Sequence, residues 1–176
     1  EESHFRVIAD HIRSSAFLIM DGVTPDNEGR GYVLRRIIRR ALRHGYDLKI
    51  DSPFFFKLVD ALTEEMGQTY PELLRKKDYI ERIILMEEER FAATLSQGMG
   101  LLQKEFDQSN DELISGEFAF KLYDTYGFPL DMTIDIARSV SRVVDLDGFE
   151  KAMERQRELA RSASKFQADE SFSHDH

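Results

Sequence analysis

Apolar residues recur along most of this chain at the three- and four-residue steps of an α-helix. From His4 to Met20 the apolar set is Val7, Ile8, Ile12, Phe17, Leu18 and Ile19, with charges between them, and the period breaks at Asp21-Gly22. Pro25 to Gly31 is made of turn residues, with Asp26 and Asn27 able to bond the local main chain. Residues 32–44 restore the helical period. At roughly 100° per residue, Leu34, Ile37, Ile38, Ala41 and Leu42 share one face, while Arg35, Arg36, Arg39, Arg40 and Arg43 fill the opposite arc. Gly45 is the expected stop.

Ser52-Pro53 reads as the cap and first position of a third helix through Phe54, Phe55, Leu58, Val59, Leu62 and Met66. Glu72 to Phe106 then contains no proline and no loop cluster. Leu73, Ile80, Ile84, Phe91, Leu95, Gly98, Leu102 and Phe106 recur at helical steps, which predicts a helix roughly 50 Å long. A coiled-coil partner would explain such a helix, but Gly98 and Gly100 weaken that reading. An internal strut with its bend at these glycines is expected instead.

Beyond a polar break at Asp107 to Asp111, Ser115 to Tyr126 predicts a short helix stopped by Gly127 and restarted at Pro129. Leu130 to Val140 and Asp147 to Ala163 predict two more. Valine-rich Ser141 to Leu146 could form one short strand. The expected fold is all-α, with a long central helix and a smaller C-terminal helical subdomain. Its expected divisions are 1–108, 109–164 and a disordered tail over 165–176.

Composition narrows the function classes. The chain has 176 residues, 41% hydrophobic and 32% charged, ordinary for a soluble helical protein. No apolar run approaches the roughly 18–20 residues that span a bilayer, and the N-terminus lacks a signal-peptide pattern, so a cytoplasmic protein without membrane partners is expected. The absence of cysteine excludes disulfides, zinc-thiolate sites and thiol nucleophiles. Starting at Glu1 directly before an amphipathic segment, the sequence reads as a piece of a longer protein.

A net charge of −9 does not argue against a nucleic-acid partner, because charge is uneven. Residues 1–50 carry nine Lys/Arg against seven Asp/Glu, leaving 15 against 26 for the remainder. Screening acts over about 8 Å at physiological salt, so a ligand on the arginine arc feels that arc more than distant carboxylates. Guanidinium groups keep their charge and bond phosphate bidentately, so a cationic stripe behind an Asn-bearing turn points to nucleic acid. An arginine-rich solvated face held by acidic neighbours is the alternative.

Other constellations carry less. His174 and His176 could bind a metal only adventitiously, and His4, His11 and His44 lack paired ligands, so no metal site is expected. Asp145 to Glu150 fails the calcium-loop spacing, with Val143 and Phe149 where oxygen donors are needed, and reads as a turn with Asp147 near a helix start. Gly29-Arg-Gly31 and Gly98-Met-Gly100 lack the strand context of a phosphate cradle. No Ser/His/Asp set converges, and no catalytic residue is assigned.

Three long motifs carry a resemblance. They are Arg6-Val-Ile-Ala-Asp-His-Ile-Arg13 leading to Asp21-Gly-Val and Pro25-Asp-Asn27; Gly29-Arg-Gly-Tyr-Val-Leu-Arg-Arg-Ile-Ile-Arg-Arg40; and Phe120-Lys-Leu-Tyr-Asp-Thr-Tyr-Gly-Phe-Pro129. With the Glu-Glu-Glu-Arg-Phe91 run and the closing Phe149 to Arg161 helix, the chain resembles the alanyl-tRNA synthetase family over nearly its whole length. The match is to the helical tRNA-recognition region that follows the class II catalytic domain.

That resemblance implies recognition of the acceptor stem of alanine tRNA through a G·U wobble pair, read at the positions of Asn27 and Asp124. A wobble shift leaves the guanine 2-amino group unpaired in the wide, shallow minor groove of A-form RNA. Asp124 can accept from it, and Asn27 can donate or accept beside it. Arg36, Arg40 and Arg43 are the expected phosphate contacts. The family's ATP- and alanine-binding motifs and its editing-site zinc ligands are absent from this sequence. The resemblance therefore implies a segment inactive alone and without cofactors, in a parent enzyme using ATP with magnesium, and zinc in its editing domain. The implied partners are the alanine tRNA acceptor stem and the parent's catalytic and editing domains. A helical docking scaffold without RNA discrimination is the alternative, and a self-contained enzyme lacks a convergent site.

Overall fold

The computed structural model describes residues 1–173, the last two by backbone only. The helices are α1 (Glu2–Met20), α2 (Gly29–Asp47), α3 (Leu58–Met66), α4 (Pro71–Arg75), α5 (Lys77–Gln108), α6 (Gly116–Tyr126), α7 (Leu130–Ser139) and α8 (Leu146–Ser173). A 3₁₀ turn, Phe55–Lys57, precedes α3. The strands β1 (Leu113–Ile114) and β2 (Val143–Val144) pair in parallel, Leu113 with Val143 and Ile114 with Val144. The fold is all-α, as the periodicity predicts. Among the described residues no helix is long and apolar enough to cross a membrane.

Two compact units divide the chain, one ending at Gln103 and the other beginning at Lys104. In the first, α1 packs on α2 through much of the predicted stripes: Ile8, Ile12 and Ile19 are buried, as are Leu34, Ile38, Ala41 and Leu42, while Val7, Phe17, Leu18 and Ile37 are half-buried and Ala16, outside the predicted set, is buried. α1 also packs against α3 and α4. Ile80, Ile84, Phe91, Leu95 and Leu102 bury one face of α5, and that face also carries two carboxylates, Glu87 and Glu88. Glu88 accepts the backbone N–H groups of Phe54 and Phe56 at 2.9 and 2.7 Å, tying the segment before α3 to the long helix. Burial, only partly opposed by these backbone bonds, raises its pKa above the ordinary carboxylate value.

Several boundaries differ from the sequence reading. Gly45 does not stop α2, which runs on to Asp47. The ring of Phe54 lies where a β-carbon would stand, 2.3 Å away, so this glycine serves close packing rather than capping. Ser52 and Pro53 precede α3 without capping it, and Ser52-Pro53 is a cis bond. The expected strut divides at Lys76, where φ −100° and ψ 9° interrupt the helix, and α5 runs through both Gly98 and Gly100.

The second unit begins inside α5, upstream of the expected division at 108. Arg142 ties the end of α5 into this unit: its Nη2 donates to the carbonyls of Phe106 at 3.0 Å and Ser109 at 2.5 Å, and its Nη1 to that of Asp111 at 2.9 Å. These bonds satisfy acceptors at and beyond the helix end and tie them to the segment leading into β2. Ser115 caps α6 by accepting Phe118 N–H at 3.1 Å, and Gly127, at φ +69°, ends it with Phe128 N–H donating to Leu122. Asp145 caps α8 through Gly148 N–H at 3.0 Å. The expected tail is helical to Ser173: residues 164–173 contain no glycine or proline, so nothing in the local sequence ends the helix. Residues 174–176, including His174 and His176, lie outside the described residues.

Candidate nucleic-acid interface

The turn before α2 is held against the helix start by the absence of a side chain at Gly31. A β-carbon there would lie 2.6 Å from the carbonyl oxygen of Thr24 and 2.5 Å from the Asp26 β-carbon. Asp26 accepts the backbone N–H of Asn27 at 2.6 Å, and Asn27 is exposed. Arg35 Nη1 donates to Asn27 Oδ1 at 2.5 Å. A guanidinium only donates, so the atom facing it is the amide oxygen, and the amine of Asn27 is left uncommitted to the protein among the described residues.

The arginine arc is only partly a solvent face. Arg35 and Arg39 are 7% and 8% exposed, and their Nε atoms both donate to one oxygen of Glu87 at 2.9 Å. Arg39 also stacks over Phe91, 4.6 Å from the ring centre. Burial pulls its pKa below the ordinary guanidinium value, with Glu87 pushing back. Arg43, expected to face RNA, is buried as well, and its Nε lies 2.9 Å from Asp47 Oδ2. The face that keeps some exposure along α2 runs through exposed Val33 and half-buried Arg36, Ile37 and Arg40, with exposed Arg30 at its start. Two of the three expected phosphate contacts, Arg36 and Arg40, therefore share an accessible face, and Arg43 does not.

Asp124 belongs to the other unit. It is exposed in the last turn of α6 and makes no hydrogen bond or ion pair among the described residues. A carboxylate at a helix C-terminus opposes the macrodipole, by roughly 0.3–1 kcal/mol. Helix stability gives no reason for an aspartate at this position.

A histidine pair joins α1 to α2 beside the arginines. Arg43 Nη1 approaches His44 Nε2 at 3.4 Å, which makes that nitrogen the acceptor; His44 then donates from Nδ1 to His4 Nδ1 at 2.7 Å. Burial first, then the charges of Arg43, His4, His11 and Arg40, lower the His44 pKa from 6.5 to about 4. Because the folded value lies below the free one, the unfolded chain takes up the proton first. The stability present above pH 6.5 is lost as pH falls towards 4. The urea midpoint should accordingly decline through the upper part of that window, above the carboxylate range, and His44→Gln should flatten the decline.

Glu87 is the site residue that periodicity missed, and Arg35, read as part of the cationic arc, is its buried partner instead of a solvent-facing group. The signal for Glu87 was a pair of carboxylates, Glu87 and Glu88, on the same helical face as Ile80, Ile84 and Phe91, where an unpaired charge is costly. Among the described residues no group of three or more His, Cys, Asp or Glu could hold a metal ion.

Comparison with known proteins covers the whole chain. Residues 1–176 match the family model described as tRNA synthetases class II (A). The alanine–tRNA ligase of Methylococcus capsulatus is 60% identical over 168 residues, 96% of this chain and 19% of that protein. Those of Nitrosococcus oceani and Hydrogenovibrio crunogenus are 55% and 59% identical over 166 residues, again 19% of their lengths. The chain thus spans about a fifth of these relatives.

Proposed function

Since the chain belongs to the alanyl-tRNA synthetase family of class II, we propose that it is the tRNA-recognition segment of such an enzyme, reading the G·U wobble pair in the acceptor stem of alanine tRNA. The observation that carries this reading is Asp124: an exposed carboxylate, without a partner among the described residues, set against the helix dipole at the end of α6. It accepts the unpaired guanine 2-amino group, and Asn27 presents its amine to an acceptor of the same pair. A charge-assisted bond of this kind is worth roughly 1.5–3 kcal/mol, enough to discriminate but not to bind tightly. Arg36 and Arg40 add sequence-independent affinity through phosphates. Orientation of the acceptor end towards the catalytic domain is the segment's contribution to aminoacylation. ATP with magnesium, and the editing-site zinc, belong to other domains of the parent on this reading.

Titration of the chain with an alanine-tRNA acceptor-stem hairpin carrying G·U, beside the same hairpin with G·C, tests the reading at fixed salt. The G·U hairpin should bind more tightly, and Asp124→Ala should abolish a preference of about tenfold or more. Arg36→Ala and Arg40→Ala should weaken both hairpins alike and flatten the salt dependence. Equal binding of the two hairpins by the unaltered chain would overturn the proposal in favour of a docking scaffold.

A further inference from the structure

We infer that Glu87, on the long helix α5, is a positioning residue for RNA discrimination: through Arg35 it fixes the rotamer of Asn27 and so sets which edge of that amide meets a base pair. The inference rests on the proposed role of Asn27.

An exposed asparagine on an irregular turn has no intrinsic reason to keep one orientation, because its terminal torsion is broad. The restraint comes from Arg35, which itself needs one. Arg35 is buried, and its Nε is pinned by Glu87 Oε1 at 2.9 Å while its Nη1 reaches Asn27. Glu87 is 3% exposed and accepts Arg39 at the same oxygen, with Arg39 braced on Phe91. The chain of contacts therefore runs from the buried face of α5 to a solvent-facing amide. The bonds of Glu87 to Arg35 and Arg39 join two ionised groups, and the last, from the Arg35 guanidinium to a neutral amide oxygen, is charge-assisted through its donor alone. Gly31 supplies a second anchor by letting Thr24 and Asp26 seat against the helix start. A pure core ion pair would need only the carboxylate and its two arginines; the further partner, exposed and eight positions before Arg35 in sequence, is what connects this core to a ligand surface.

Arg35→Met is the discriminating variant, because it cuts the link while leaving Glu87 and Arg39 as a one-to-one pair. Measured with the two hairpins, it should reduce the G·U preference to that of Asn27→Ala, a loss of about fivefold, the equivalent of one ordinary hydrogen bond. Combining both substitutions should bring no further loss, whereas independent effects would multiply. Glu87→Gln gives a readout that needs no RNA: the side-chain amide resonances of Asn27 should move although Glu87 does not touch it. A wild-type preference in Arg35→Met, with Asn27→Ala impaired, would overturn the inference, as would unmoved Asn27 resonances in Glu87→Gln. If Asn27→Ala itself kept the full preference, the proposed role of Asn27 would fall, and the positioning role with it.

Discussion

Glu87→Ala is expected to destabilise the first unit by about 3–5 kcal/mol, the cost typical of removing one partner from a buried ion pair. The carboxylate serves two guanidiniums, Arg35 and Arg39, both under a tenth exposed. A guanidinium keeps its charge even when it loses its partner, so removing the carboxylate leaves buried positive charge behind. The structure must instead open to let water in. Urea unfolding should show a lower midpoint for this variant, while Glu72→Ala, which breaks an exposed contact with Arg75 on α4, should stay within about 0.5 kcal/mol of the parent. Replacing Glu87, Arg35 and Arg39 together by apolar residues should restore much of the stability. It would not restore the anchor of Asn27, so the triple variant separates folding from the proposed discrimination. A parent-like midpoint for Glu87→Ala would mean that the two arginines find another counter-charge.

The second large effect is expected at Gly116. A β-carbon added there would stand 2.0 Å from the backbone nitrogen of Phe149 and 2.2 Å from the carbonyl carbon of Gly148. Backbone cannot yield as a side-chain tip can, so α6 and α8 must move apart where they cross. Their separation would disturb the cluster of Ile114, Ala119, Ala137, Val144 and Phe149, together with the edge-to-face contacts of Phe149 with Phe120 and Tyr123. Gly116→Ala should cost about 3 kcal/mol, at the upper end for overpacking. Helix propensity alone would favour alanine by up to about 1 kcal/mol, so the sign of the measured change decides between the two effects. Thermal unfolding followed through tyrosine absorbance would report it, and a raised midpoint would show that the crossing is looser than the distances imply.

Elements whose signals are local were legible in the sequence. Asp21-Gly22, Ser115, Gly127 and Pro129 each mark a helix end through their own backbone or cap chemistry, and they do so in the structure. The apolar stripes of α1 and α2 were equally plain. Periodicity, however, reports only which residues share a helical face, never what another segment brings to that face. The arginine arc read as one cationic stripe because Glu87 lies 52 positions from Arg35 in sequence. Gly45 read as a stop because Phe54, which occupies its missing side chain, belongs to the next segment. Valines 143 and 144 were marked as a strand candidate, but their partners Leu113 and Ile114 were not, since two residues carry no alternation. At the candidate interface, Asn27 and Asp124 came from motif resemblance. The structure adds their exposure, the tether on one and the absence of a partner on the other among the described residues.

The parallel pairing of β1 with β2 has a consequence for the order of events during synthesis. Parallel strands cannot be joined by a tight turn, so α6 and α7 form the crossover between Leu113 and Val143. The helix that presents Asp124 is thus closed into a loop only after Val143 and Val144 have left the ribosome, and it gains its contacts with α8 later still, when Phe149 emerges. Asn27 waits in the same way for Glu87, translated 60 positions after it. Each of these two candidate interface residues is made early and held late, so a stalled or truncated nascent chain would expose both before their supporting contacts exist.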